Sequence, residues 1–66
     1  MKLTVNGKEN EIQSAVSIYE FLEQKGIKPA TVVIEHNYEI PDRESWKEIL
    51  LKDGDSLEII KFMGGG

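Results

Sequence analysis

Polar and apolar residues alternate through Lys2-Leu3-Thr4-Val5, the period-two pattern of a half-buried strand. Asn6-Gly7 follows, the pair best suited to the two positive-φ positions of a type I′ turn, so Lys8 to Ile12 is expected to return as the second strand of a hairpin. The period then changes. Ile18, Phe21 and Leu22 stand at i, i+3 and i+4, one apolar stripe of a helix running from Ile18 to about Lys25. Ser17 and Glu20 have the spacing of a capping box, and Val16 and Phe21 that of a hydrophobic staple. Gly26 suits a left-handed C-cap and Pro29 prevents the helix from resuming. A helix of about eight residues is marginal in water. Its stripe must therefore pack on the sheet.

Thr31-Val32-Val33-Ile34-Glu35 is the most β-branched run in the chain. Apolar on both faces, it is expected at or near the interior of the sheet. His36-Asn37-Tyr38 should turn, Glu39-Ile40 should form a short strand and Pro41-Asp42 should close it. Arg43-Glu44-Ser45-Trp46 predicts a turn that lays Trp46 against the edge of the core. Lys47 to Leu51 reads equally as a short strand or an irregular segment. Asp53-Gly54-Asp55 is a turn signal, and Ser56 to Phe62 is the final strand. Along it Leu57 and Ile59 should face the helix, while Glu58, Ile60 and Phe62 face the other way. Ile60 and Phe62 either form an exposed docking patch or pack on a neighbouring strand residue such as Val33. The fold class predicted is α+β, with one helix packed across a mixed sheet of four to five strands.

Composition narrows what such a fold can do. The chain has 66 residues, the size of one small domain whose core must be economical. It has no cysteine, so disulfides, cysteine-rich metal sites and a side-chain persulfide are all excluded. Eight basic residues against twelve acidic ones give a formal charge of −4, which argues against non-specific nucleic-acid binding and a basic membrane-surface patch. Basic protein partners suit it better. No stretch approaches the roughly 20 apolar residues of a membrane span, and the first residues lack the apolar region of a signal peptide. A cytoplasmic location is the resulting expectation.

The last four residues, Met63-Gly64-Gly65-Gly66, carry the candidate chemistry. Three glycines without Cβ atoms should leave the body, residues 1–62, as a flexible thread ending in an unhindered carboxylate. Such a carboxylate can attack the α-phosphate of ATP, and the acyl adenylate formed has no neighbouring side chain to shield its carbonyl. Glycine-rich ends are also ordinary termini, so the tail is weighed with the rest of the chain.

Other sites offer less. His36, the only histidine, lacks a second histidine or cysteine at metal-ligand spacing and reads as a strand-end surface residue. The carboxylate pairs Glu9/Glu11, Glu20/Glu23 and Asp53/Asp55 fit a solvated strand face, a helix surface or cap, and a turn. Asp53-Gly54-Asp55 is too short for a calcium loop, which spreads its ligands over about 12 residues. The terminal glycines follow a strand and open no helix, as a phosphate loop must. No serine has a histidine placed to activate it. The chain is therefore not expected to be an enzyme or to bind a metal.

In order and spacing these features resemble the ubiquitin-like β-grasp sulfur carriers, and among them the thiamine-biosynthesis carriers of the ThiS type. The resemblance covers essentially the whole chain: Val5-Asn6-Gly7, the helix ending near Gly26, Val33-Ile34-Glu35 with Asn37, Ile40-Pro41 with Arg43 and Trp46, Leu51 to Asp55, and Glu58 through Gly66. Met63 stands where the family more often has a β-branched residue, and His36 falls at a variable position. The resemblance implies that a ubiquitin-activating-like adenylyltransferase adenylylates Gly66 using Mg-ATP. Sulfur from a donor protein then converts it to a thiocarboxylate, which a thiazole synthase consumes. It implies no cofactor bound to the carrier itself. Gly65, Gly64 and Met63 would be the access thread, and Phe62 and Ile60 the docking residues. A molybdopterin-synthase small-subunit-like carrier, a protein modifier, and a β-grasp binding module without tail chemistry remain as alternatives.

Overall fold

The computed structural model describes residues 1–62, so the expectations for Met63 and the three terminal glycines fall outside the described residues. Strands β1 (Lys2–Val5) and β2 (Lys8–Glu11) form the expected hairpin. Asn6 and Gly7 both take positive φ, at 51° and 80°. Helix α1 (Ile18–Gln24) begins at Ser17, whose hydroxyl accepts from the Glu20 N–H at 3.1 Å while the Glu20 carboxylate accepts from the Ser17 N–H at 2.9 Å. Gly26, at φ +72°, ends it in the left-handed conformation. A 3₁₀ turn opened by Pro29 leads into β3 (Val32–His36), and a second, Arg43–Ser45, precedes Trp46. Strand β4 (Ser56–Lys61) is the last described element.

The four strands lie in the order β2-β1-β4-β3. β1 and β4 run parallel at the centre, and both outer pairings are antiparallel. The helix covers one face. Ile18, Phe21 and Leu22 are buried there against Leu3, Val32, Ile34, Leu51 and Leu57, with Trp46 in the same core. Removing the three helix side chains from water is worth roughly 5–9 kcal/mol gross, which offsets the poor intrinsic stability of so short a helix. The tryptophan is held by burial and by donation from its indole N–H to the Pro41 carbonyl at 3.3 Å.

Two expectations are corrected. The β-branched run is an edge strand, β3, and the central position belongs to β4. Its apolarity on both faces has two separate causes. Val32 and Ile34 are buried under the helix, while Val33, directly opposite Ile60, helps form an apolar area on the uncovered face. The outer edge is partly satisfied locally, since the Arg43 guanidinium donates to the Val32 carbonyl at 3.0 Å and the His36 N–H to the Glu39 carbonyl at 2.6 Å. Glu39-Ile40, expected as a strand, is reduced to the single bridge His36–Glu39 across Asn37-Tyr38. Lys47 to Leu51 is irregular apart from one bridge between Ser17 and Leu50.

Candidate functional site at the end of the last strand

The end of β4, from which the glycine tail continues, is held from both sides. On one side the ladder with β3 extends to the Phe62 N–H, which donates to the Thr31 carbonyl at 3.0 Å. On the other, β1 turns away after Val5, and the side chain of Asn6 takes its place. Its Oδ1 accepts from the Ile59 N–H at 2.6 Å and its Nδ2 donates to the Ile59 carbonyl at 3.3 Å. An amide side chain thus reproduces the donor and acceptor of a strand residue. The Asn6 backbone N–H adds a bond to the Leu57 carbonyl at 2.9 Å. β4 therefore stays paired on both edges as far as Ile59.

The faces of β4 divide as expected. Leu57 is fully buried and Ile59 packs against the core, whereas Ile60 and Phe62 are 54% and 53% exposed on the uncovered face. Contact with Val33 does not cover them. Half the surface of two large apolar side chains remains open immediately before the tail, as a docking patch requires. Of the predicted site residues, Phe62 and Ile60 thus stand on one face, and Met63, Gly64, Gly65 and Gly66 lie beyond the described residues.

The opposite end of β4 is fixed by a polar cluster. Asp55, 8% exposed, accepts from the backbone N–H of Lys52 at 2.9 Å and from Asn37 Nδ2 at 3.0 Å, and stands 2.9 Å from His36 Nε2. Burial alone would raise its pKa. The hydrogen bonds from His36, Asn37 and Lys52, with the charge His36 can carry, outweigh burial and hold the carboxyl below its ordinary range. The Asn37 side-chain Oδ1 accepts from the Ser56 N–H at 2.8 Å, tying the turn after β3 to the start of β4. His36 is thus a half-buried partner of Asp55, and its reading as a surface residue is corrected. Asp53 ties the same segment to β1 by accepting from the Lys2 N–H at 2.7 Å.

Sequence reasoning missed Asn6, Asn37, His36 and Asp55 as residues that position β4. Each was legible only as a turn or strand-end residue, because its partner lies 18 to 53 positions away. Among the described residues no group of three or more His, Cys, Asp or Glu side chains is arranged to hold a metal. No helix there is long and apolar enough to cross a membrane.

One helix across a four-stranded mixed sheet, with a central parallel pair and the last strand ending beside an exposed apolar patch, defines a ubiquitin-like β-grasp protein. The sequence model of the ThiS family matches residues 3–66, and the chain belongs to that family of sulfur carriers. The chain is 34% identical over 65 residues to the sulfur carrier protein ThiS of Bacillus subtilis, covering 97% of this chain and 98% of that one. The crystal structure of the thiamine biosynthesis protein ThiS from Geobacter metallireducens superimposes with a TM-score of 0.87 at 36% identity, each chain covered completely. The chain is also 36% identical over all 66 residues to a thiazole synthase of Paramagnetospirillum magneticum, of whose length it spans only 20%.

Proposed function

We propose that Gly66 is the working end of this carrier, adenylylated and then converted to a thiocarboxylate that donates sulfur for thiazole formation. In the first step a terminal carboxylate oxygen attacks the α-phosphate of ATP and pyrophosphate leaves, giving the acyl adenylate. Sulfide-level sulfur delivered by a donor protein then attacks the same carbonyl, forming the C–S bond as the C–O bond to AMP breaks and AMP leaves. A ubiquitin-activating-like adenylyltransferase supplies Mg-ATP and the catalytic groups, and the carrier supplies the carboxylate. The observation carrying this reading is the family match, which continues through residue 66, beyond the last described strand. Similarity to a protein named thiazole synthase favours thiazole synthase as the sulfur acceptor.

Residues 1–62 serve as the docking body, and residues 63–66 as the thread that reaches a distant active site. Each missing Cβ at Gly64, Gly65 and Gly66 narrows that thread, and Met63, unbranched and polarizable, suits an apolar channel mouth. Ile60 and Phe62 supply apolar docking area where the thread begins. The cytoplasm, where ATP is available, is the proposed location.

Intact-protein mass spectrometry tests the proposal after incubation with Mg-ATP, the activating enzyme and a sulfur donor. Replacement of one terminal oxygen by sulfur, lost when Gly65 and Gly66 are deleted, is the expected result. An unchanged mass with an activating enzyme that modifies a control carrier refutes it.

A further inference from the structure

The uncovered face of β3 and β4 is graded along its length. The register places Val33 opposite Ile60 and, two residues on, Glu35 opposite Glu58. The backbone bonds at the two ends of this ladder, Phe62 N–H to Thr31 and Asn37 N–H to Ser56, put both pairs at hydrogen-bonded positions. Side chains directly opposite at such positions are near neighbours, and two like charges there repel. Both glutamates are half-buried, and among the described residues neither forms an ion pair or accepts a hydrogen bond through its side chain.

Among the described strand residues, no cation on the same face pairs with them. Side-chain alternation puts Lys2, Glu9, Glu11, Glu35 and Glu58 on the uncovered face, and Lys8 and Lys61 on the helix side. The single lysine, Lys2, is 3.2 Å from Glu9. It belongs to the start of β1, whereas Glu58 lies two residues beyond Ser56, the partner of Thr4. Two directly opposed carboxylates thus stand next to the exposed apolar patch, and among the described residues neither has an ion-pair partner.

We propose that Glu35 and Glu58 together receive an arginine or lysine of the protein that docks on Ile60 and Phe62. This rests on the carrier reading and specifies the activating enzyme's chemistry: an apolar contact for Ile60 and Phe62, and a cation one strand pair further from the tail. The carboxylate pair sets register along the face, because sliding by one pair would bring the cation against Val33 and Ile60 and leave both carboxylates unmatched. A second copy of this chain is the wrong occupant. Each molecule carries a net charge of −4, which opposes association of two copies.

The test compares wild type, Glu58→Gln and the double variant Glu35→Gln/Glu58→Gln in adenylylation by the activating enzyme with Mg-ATP, at low and high salt, beside their thermal transitions. The double variant should raise the KM for the carrier roughly fivefold at low salt with kcat unchanged. It should lose most of the salt dependence of KM shown by wild type, and it should melt no lower than wild type because a repulsion has been removed. Glu58→Gln should fall between them. An unchanged KM in the double variant, with wild type activated normally, overturns the inference and leaves the carrier reading standing. A lower melting temperature with equal salt dependence assigns the pair a structural role and overturns it too. Sedimentation showing that wild type self-associates through Ile60 and Phe62 replaces the basic partner with a second copy. Failure of wild type to be adenylylated removes the carrier reading and the inference with it.

Discussion

Replacing Tyr38 with glycine should stabilise the protein. Among the described residues two turns have consecutive positive-φ residues, Asn6-Gly7 at φ 51° and 80° and Asn37-Tyr38 at φ 50° and 70°. In the first, glycine occupies the second position, where a Cβ is unfavourable. In the second, a bulky aromatic does so, and the residue is 87% exposed, so almost no burial compensates. A left-handed residue with a Cβ costs roughly 1–2 kcal/mol, while glycine forfeits roughly 0.5–1 kcal/mol through the greater freedom of the unfolded chain. The net gain for Tyr38→Gly is about 0.5–1 kcal/mol, a rise of about 2–8 °C in Tm for a domain of this size. Urea denaturation should show a higher midpoint with an unchanged m-value. The reverse change, Gly7→Ala, should cost about 1 kcal/mol, and the cost is purely conformational because nothing lies within 4 Å of the added Cβ. A Tyr38→Gly variant that is neutral or less stable, while Gly7→Ala destabilises, would refute the reasoning and show that Tyr38 supports the fold through its side chain.

Asn6→Ala should cost about 1–2 kcal/mol and speed amide exchange at Ile59, whose N–H loses its acceptor; unchanged exchange there would show that the Asn6 side chain does not pair that edge in solution. Asp55→Asn should cost about 1–3 kcal/mol near neutral pH, since an amide nitrogen would then face one of the donors supplied by His36, Asn37 or Lys52. Because the folded-state pKa of Asp55 is depressed, its contribution is fully present above the unfolded value of about 3.9 and disappears as pH falls through the folded value. Acid titration of Tm should therefore show a steeper loss in wild type than in Asp55→Asn, and parallel curves would contradict the assignment. Phe62→Asp should leave the thermal transition within about 0.5 kcal/mol of wild type, as exposed substitutions do, yet weaken adenylylation; normal activation of the folded variant would remove Phe62 from the docking surface.

What could be read in advance was whatever rests on near neighbours. The Ser17–Glu20 capping box, the Asn6-Gly7 turn, the stop at Gly26 and the faces of Ser56 to Phe62 each depend on contacts within about four residues or on a fixed period, and all appear in the structure. Strand order is a different kind of fact. The run from Thr31 to Glu35 carried the strongest β signal, yet it lies at an edge, because apolarity on two faces is produced as well by an exposed apolar patch on one side as by burial on both. The Asp55 cluster was hidden for the same reason. A turn aspartate and a lone histidine become a hydrogen-bonded pair only when β3 and β4 are aligned antiparallel, a pairing that brings residues 19 positions apart within 2.9 Å.

The arrangement of the described body bears directly on how a glycine end can be recognised at all. Glycine has no side chain through which a partner can bury area, and each residue fixed in a bound conformation costs roughly 1–2 kcal/mol. Affinity must therefore come from residues 1–62, and its direction must be transmitted through β4. On the proposed reading, one strand serves both. The backbone of β4 is fixed at its start through Asn37 and Ser56, on its β1 edge at Ile59 by Asn6, and on its β3 edge at Phe62 by Thr31. Its uncovered face meanwhile presents Ile60 and Phe62. Under the proposed function, a partner seated on those side chains would hold the strand that precedes the glycine end. Loosening β4 without touching the docking face should then impair activation. Asn6→Ala separates these effects, because it frees the backbone at Ile59 while leaving Ile60, Phe62, Glu35 and Glu58 in place. Its adenylylation should show a lower kcat with little change in KM, whereas an equal loss in both Asn6→Ala and Phe62→Asp, confined to KM, would show that docking alone is limiting and that the pinning of the strand has no part in delivering the end.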